Sequence, residues 1–187
     1  MSRASALATL GLVLGAPALL SAQIDLASSL QSVGLVAVKQ GWVSVSLPGG
    51  SSASISGLVS GPNEFPPVPV ATSWNVDPER TATVTLLASF AVPGQALSGS
   101  EGAIPASRML GRLTGSAAGF APFAQAPPAG GGGTAGGTLE LFTQPLVEAN
   151  AIGTRTDGLE IRIDLTTLPG LPSGTYTGTL NLVAVTQ

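Results

Sequence analysis

Apolar and polar residues alternate in several short runs along this chain. In residues 159–165 the odd positions are Leu or Ile, and the even positions are Glu160, Arg162 and Asp164. Residues 81–90 follow the same rule, with Ala, Val, Leu or Phe at the even positions and mainly Thr or Ser between them. A period of two residues is that of a β-strand with one buried face. Both runs are therefore predicted to be half-buried strands.

The same pattern, less strictly kept, predicts further strands in residues 35–38, 42–47, 54–59, 68–76, 104–113 and 138–143, and a last one from 176 to the end of the chain. Clusters of Pro, Gly, Asn and Asp separate these runs. About seven to nine short strands with such spacing predict an all-β fold, an antiparallel β-sandwich rather than a regular closed barrel. Residues 115–137 are rich in Gly and Pro, and we expect them to form a flexible loop.

The first 22 residues have the layout of a secretory signal peptide. Arg3 precedes an apolar stretch at residues 6–20, and small residues follow it. A membrane anchor is the alternative, but the Gly and Pro residues in the stretch weaken a spanning helix. We expect cleavage after Ala22, with the triplet at 16–18 as the alternative site. Residues 23–187 are then expected to form one domain with no membrane span, located in the periplasm, on the outer surface or outside the cell.

The amino-acid composition excludes several kinds of catalytic, metal-binding and nucleic-acid-binding site. The chain has neither Cys nor His, and only 9% of its residues are charged. Zinc sites built from Cys and His, the commonest catalytic dyads and disulfides are therefore excluded. Acidic residues outnumber basic ones by ten to seven, so a basic surface for nucleic acid is not expected. We predict a protein that is not an enzyme and that uses no metal or other cofactor.

Carboxylates are the remaining candidates for chemistry. Asp77 with Glu79, and Glu160 with Asp164, are residue types that bind calcium or act on glycosidic bonds. The favoured interpretation of both pairs is structural. The first pair lies in a predicted turn. Arg162 lies between the members of the second pair on a predicted outer sheet face, where we expect it to form ion pairs with both carboxylates.

The end of the chain carries a family resemblance. Pro172, Gly174, Thr175 and Tyr176 are followed by a Thr- and Leu-rich run in residues 177–185. This segment resembles the closing strand of secreted bacterial β-sandwich subunits of the spore-coat-U and fimbrial type. The resemblance implies an immunoglobulin-like fold and a role in an extracellular fibre or coat. Many of those subunits have a cysteine pair, and usher-dependent pilins often have an aromatic residue near the very C-terminus. This chain has no cysteine and no aromatic residue after Tyr176.

The predicted function is that of an exported structural or assembly subunit. We expect it to associate with protein partners, as copies of itself or related subunits, through an exposed sheet edge that accepts an extended segment of a neighbour. The candidate donor is residues 23–39, which alternatively pair within their own domain. The apolar positions of this segment that would enter such an edge are Ile24, Leu26, Leu35, Val36 and Val38.

An envelope module that binds carbohydrate or calcium is the alternative function. Trp42 alternates with Val43 and Val45, so it is expected on the opposite, solvent-facing side of its strand. An exposed indole can stack on a sugar, which makes Trp42 the candidate ligand contact.

Overall fold

The computed structural model describes residues 23–25, 34–36, 41–168 and 170–187, and their regular structure is almost entirely β. In chain order the strands are β1 (Gln23–Asp25), β2 (Gly34–Val36), β3 (Trp42–Ser46), β4 (Pro62–Glu64), β5 (Val68–Asn75), β6 (Thr83–Phe90), β7 (Leu97–Ser98), β8 (Ala103–Ile104), β9 (Met109–Leu113), β10 (Ala121–Pro122), β11 (Thr138–Pro145), β12 (Ile152–Asp164) and β13 (Leu180–Thr186). Seven of these strands have five residues or more, and the other six have two or three. The prediction of an all-β fold is confirmed.

The chain divides into two units, residues 1–40 and 41–187. In the first unit β1 and β2 pair antiparallel, with Ile24 opposite Leu35. The predicted signal peptide, residues 1–22, lies outside the described residues.

The second unit contains two main sheets, and every strand pair in them is antiparallel. The larger sheet has the order β10-β9-β12-β5-β3, and β4 also pairs with β12. The smaller sheet has the order β11-β6-β13. A separate two-stranded ladder joins β7 to β8. The long β12 holds the larger sheet together, because it pairs with β5 at residues 152–159, with β9 at residues 159–163 and with β4 at residues 162–164.

Buried side chains from both main sheets pack against each other. In one cluster Leu86 of β6 joins Val70 of β5, Leu113 of β9 and Leu159 of β12, and all four are at most 4% exposed. Leu180, Leu182 and Ala184 of β13 pack against the same cluster, as their alternation predicts. Two antiparallel sheets that share a core in this way are consistent with the predicted β-sandwich. The immunoglobulin-like topology stays a prediction.

The N-terminal half of β12 is a strand that the periodicity of residues 159–165 does not reveal. Gly153 lies directly opposite Trp74 in the ladder. A Cβ at Gly153 would lie 2.6 Å from Trp74 Cε2, so only glycine leaves room for the indole. The Trp74 ring is 6% exposed, and its Nε1 donates a 2.9 Å hydrogen bond to the carbonyl oxygen of Asn150. The glycine that weakens the strand pattern is therefore the residue that lets the core close.

Two predicted strands differ from the structure. Residues 54–59 form no strand, because the Asn63 side chain holds the chain after them in a turn. Its Oδ1 accepts a 2.8 Å bond from the Val59 amide, and its Nδ2 donates to the carbonyl oxygens of Val59 and Gly61. Residues 104–113 are split by a 3-10 turn at Ala106–Arg108, so that only Met109–Leu113 forms a strand of five residues.

The Gly- and Pro-rich segment 115–137 contains core residues. Phe123 is fully buried, and its ring packs edge-on against Phe90 with centroids 5.0 Å apart. The glycine run lies over the outer face of the smaller sheet, where a Cβ on Gly131 would be 3.2 Å from Leu87 Cδ1. The flexibility of this segment stays a prediction. Its Gly- and Pro-rich composition did not predict that Phe123 is buried or that the glycine run covers Leu87.

Candidate strand-binding groove

The outermost strands β3 and β13 have free edges with little protection. Among the described residues each pairs on one side only, β3 with β5 and β13 with β6. The seven residues of β13 pair with β6 without a break in register and include neither a charge nor a proline. By contrast, β11 has an irregularity between Glu140 and Phe142 and ends at Pro145, and β10 has only two residues. Bulges, prolines, charges and short strands are the usual protection of an edge, and β3 and β13 lack them.

These two unprotected edges lie close together without forming a ladder. A cleft of about 580 Å³ separates residues 45–47 at the end of β3 from residues 180–183 of β13. The two strands belong to different sheets, and no ladder joins them in the described part of the chain. The two sheets therefore leave an open side between β3 and β13.

A larger cleft, of about 960 Å³, continues this opening. Residues 51–60 line one side of it, residues 172–182 line the other, and Leu47, Leu180 and Leu182 line both clefts. Met109 and Ile163, each 1% exposed, are among the buried core residues that reach its wall. We call the combined space, between residues 45–60 and residues 172–183, the seam groove. It gives an extended apolar segment access to the interior between the sheets.

Burial changes sharply from β6 to its neighbour β13. Leu86 and Ala88 of β6 are fully buried, whereas Ala184 and Leu182, which lie opposite them on the same inner face, are only half-buried. Burying apolar surface is favourable by about 25 cal/mol per Å². The inner side of β13 is thus a part of the core that a further strand could cover with a gain in free energy.

A tyrosine fixes the chain at the entrance to β13. The Tyr176 hydroxyl donates a 2.7 Å hydrogen bond to the carbonyl oxygen of Pro172, four residues earlier. A Cβ on Gly99 would lie 3.0 Å from Tyr176 Cε1, and Ser98 and Thr177 exchange backbone hydrogen bonds beside the ring. A tyrosine hydroxyl bonded back to the backbone a few residues upstream resembles the tyrosine corner of some β-sandwich domains. The predicted strand start at Tyr176 is wrong by four residues, because this corner occupies the chain before Leu180.

The charged residues of β12 form pairs different from those expected. Arg112 donates from Nε to Glu160 at 2.6 Å, and Arg162 pairs with Glu64 on β4. The expected sharing of Arg162 between Glu160 and Asp164 is wrong, because β9 and β4 bring in partners distant in the sequence. Hydrogen bonds from Arg112 and then Thr114 lower the pKa of Glu160. This carboxylate is already satisfied within the sheet.

Both arginines also pack on an aromatic ring. The guanidinium carbons of Arg112 and Arg162 lie 4.3 Å and 3.9 Å from the Phe120 ring centroid. Cation–π contacts of this kind hold Phe120 to the outer face of the larger sheet. The cluster ties the segment after β9 to β12, and its charges are engaged with each other.

The other sequence candidates are accounted for as follows. The Asp77 Oδ1 accepts a 3.0 Å bond from the Glu79 amide, which is the behaviour of a turn residue. Within the described residues no group of three acidic side chains is arranged to hold a metal ion.

Trp42 is 50% exposed on the outer face of β3. The same part of the chain contains no helix of the length and apolar character needed to cross a membrane.

The proposed donor positions fall in the first unit. Ile24 is in β1, and Leu35 and Val36 are in β2, so their backbones pair with each other. Leu26 and Val38 lie outside the described residues. The sequence did not locate the acceptor groove, although a signal was available: residues 42–46 and 180–186 contain no charged residue and no proline.

No protein-family model matches this sequence, and no curated protein is detectably similar to it.

Proposed function

We propose that the protein is a non-enzymatic, exported structural subunit of a cell-surface fibre or coat, and that it associates through β-strand edges. The observation that carries the proposal is the free edge of β13, uncharged over seven residues and bordered by the seam groove. An edge of this kind accepts an extended segment, which gains main-chain hydrogen bonds from the strand and places alternate side chains in the groove. The resemblance of residues 172–185 to fimbrial and spore-coat-U subunits agrees with this role.

The length of the β13 edge and the lining of the seam groove indicate what kind of donor segment could bind there. Seven residues of β13 extend over about 24 Å, so a donor needs about the same number of extended residues. Every second side chain of the donor would contact the half-buried Leu180 and Leu182. The groove wall is mainly apolar, so those donor positions are expected to be apolar.

Residues 23–39 of a neighbouring copy are the proposed donor. The segment contains two short runs with apolar residues at alternate positions, Ile24 with Leu26 and Val36 with Val38, and Leu35 is a further apolar position next to the second run. Donation requires the pairing of β1 with β2 to open, and that ladder has only three residues on each side. A two-stranded ladder so short is marginal by itself, so its loss costs little compared with a seven-residue strand pairing. Pairing of the segment within its own chain is the competing outcome.

The oligomeric state of residues 23–187 tests the proposal. We expect concentration-dependent association by analytical ultracentrifugation, and a monomer when residues 23–40 are removed at the unit boundary. A strictly monomeric parent protein would contradict the proposal. Association that is unchanged after the deletion would contradict the donor assignment.

A charge on β13 tests the acceptor. Leu182→Lys places a charge on the inner side of the edge strand and is expected to abolish association. Val92→Lys is the matched control, because Val92 is 55% exposed and lines neither cleft of the seam groove, and it should leave association unchanged. Circular dichroism shows whether each variant is folded. Folded Leu182→Lys protein that still associates would exclude the β13 edge as the acceptor.

A further inference from the structure

The part of the outer face where β3, β5 and residues 152–156 of β12 lie side by side contains no charged residue. The ladder registers place three rows of residues across these strands: Trp42, Asn75 and Ile152; Ser44, Ser73 and Thr154; Ser46, Ala71 and Thr156. None of these nine residues is ionisable, and five of them carry hydroxyl groups. We call this surface the hydroxyl face.

Strand alternation directs these side chains away from the core. Val43 and Trp74, which alternate with them, pack together in a buried cluster on the inner side. On the outer side Trp42 is 50% exposed and Ile152 is 67% exposed, and Ser44 and Thr154 are also exposed. The Ser73 and Thr154 hydroxyls lie 3.0 Å apart and hydrogen-bond to each other across the strands. The hydroxyl face is therefore accessible and partly pre-ordered.

The chemistry of the face matches a neutral glycan. Neighbouring strands are about 4.8 Å apart and alternate residues about 6.8 Å apart, so the three rows cover roughly 10 Å by 14 Å. The Trp42 ring supplies an apolar surface for the C–H face of a sugar ring, and the Asn75 amide and the hydroxyls supply donors and acceptors for sugar hydroxyls. With no cation on the face, nothing compensates the charge of a uronate or a sulfated sugar.

A protein partner fits this face less well. Trp42 and Ile152 are its only large apolar residues, and Asn75 separates them in the row. The central part of a protein interface is usually a contiguous apolar patch rich in aromatic residues and arginine. A face of Ser, Thr and Asn beside a single indole is closer to a small-ligand surface with a few well-placed polar groups.

We propose that the hydroxyl face binds a neutral polysaccharide or oligosaccharide, with Trp42 as the stacking residue and Asn75, Ser44 and Thr154 as polar contacts. This site uses the outer face of β3, whereas the seam groove uses its free edge. Ser46 at the end of β3 borders both surfaces, but none of the four proposed glycan contacts lines the seam groove, so we expect glycan binding to be independent of the proposed strand exchange. A surface subunit with both properties would attach its assembly to a carbohydrate matrix.

Intrinsic fluorescence offers a direct assay, because the chain has two tryptophans and Trp74 is buried. Residues 23–187 are titrated with soluble neutral β-glucan, mannan and galactan, and with polygalacturonate as the anionic comparison. We expect at least one neutral polymer to shift the emission and to protect Trp42 from iodide quenching. Failure of all three neutral polymers, or preference for the anionic one, would overturn the proposal.

Two variants locate the site. Trp42→Ala is expected to weaken binding roughly tenfold, as loss of an aromatic stacking contact. Thr154→Lys, which places a long charged side chain on the far strand of the face, should weaken it as well, measured by affinity electrophoresis in the same polymer. Val92→Ala is the matched control, since Val92 is 55% exposed outside the face. Equal retention of Trp42→Ala and the control would refute the site.

The Leu182→Lys variant separates the two proposals. If it loses association but keeps its glycan affinity, both proposals stand. If the parent protein is monomeric yet binds glycan, strand exchange fails and the hydroxyl face remains. Loss of glycan affinity in folded Leu182→Lys protein would refute the independence of the two surfaces.

Discussion

Replacement of Phe123 by Ala is expected to destabilise the second unit strongly. Phe123 is fully buried, and its ring packs against Phe90 of β6 at 5.0 Å with an interplanar angle of 68°. On the other side, a Cβ on Gly111 would lie 3.1 Å from the Phe123 ring, so the backbone of β9 is in close contact with it. The ring thus fills the space between the two sheets.

The magnitude follows from this packing. Truncation of a buried Phe to Ala removes the transfer free energy of the ring and leaves a cavity, and such changes cost about 3–5 kcal/mol. The rigid contacts with Phe90 and Gly111 restrict collapse of the cavity, so we expect a value within this range. Small domains are stable by only about 5–15 kcal/mol, so the loss would be a large fraction of the total.

Urea unfolding followed by fluorescence measures the effect, since Trp74 is in the core. Phe120→Ala is the matched control, because Phe120 lies in the same segment but contacts arginines on the outer face, and its loss should cost about 1 kcal/mol. A loss of less than about 1 kcal/mol for Phe123→Ala would refute the reasoning. The Gly-rich segment would then contribute little to the core.

Three further predictions concern single contacts. Tyr176→Phe removes the bond to Pro172 and should lower the free energy of unfolding by about 1 kcal/mol in urea titrations; no change would refute a structural role for the corner. Gly153→Ala should cost about 1–3 kcal/mol by the same assay, because its Cβ would press on the Trp74 ring, and a neutral result would contradict that contact. The lowered pKa of Glu160 means that its bonds stabilise the fold above its ordinary value of 4.5 and that this contribution is lost as the pH falls through the lowered pKa. Glu160→Gln should therefore lose less stability between neutral and strongly acidic pH than the parent protein. If the urea midpoint falls by the same amount in both proteins over that range, the Glu160 bonds do not contribute as proposed.

Local pattern predicted the strands whose two faces differ in polarity. Residues 81–90 and 159–165 alternate, and most of each run lies in a strand of the structure, β6 and β12. The prediction that the first run is half-buried is wrong, because the Thr and Ser side of β6 is buried as well. The pattern missed residues 152–158, because Gly153 serves a tertiary contact with Trp74 that periodicity cannot express. It also predicted a strand at 54–59, where a single side chain, Asn63, holds the following residues in a turn.

For the candidate sites too, local spacing predicted some features correctly, and others depended on strands distant in the sequence. Trp42 was placed at the surface from its alternation with Val43 and Val45, and it is 50% exposed. The ion pairs were assigned to neighbours along one strand, whereas Glu160 pairs across to Arg112 on β9. Short-range spacing determines the face on which a side chain lies, but the charge opposite it comes from a strand far away in the sequence.

The sequence by itself determined that the chain is all-β, that it contains no Cys or His for the commonest kinds of catalytic or metal chemistry, and that β3 and β13 are free of charge. Tertiary structure alone decided which strands became edges. Residues of β6 and β13 alternate in a similar way, yet β6 is buried at the centre of its sheet and β13 lies at the margin beside the seam groove. Alternation reports only which face of a strand is apolar. Whether a strand has one neighbour or two depends on hydrogen-bonded partners distant in the chain, and in this protein that difference creates the groove.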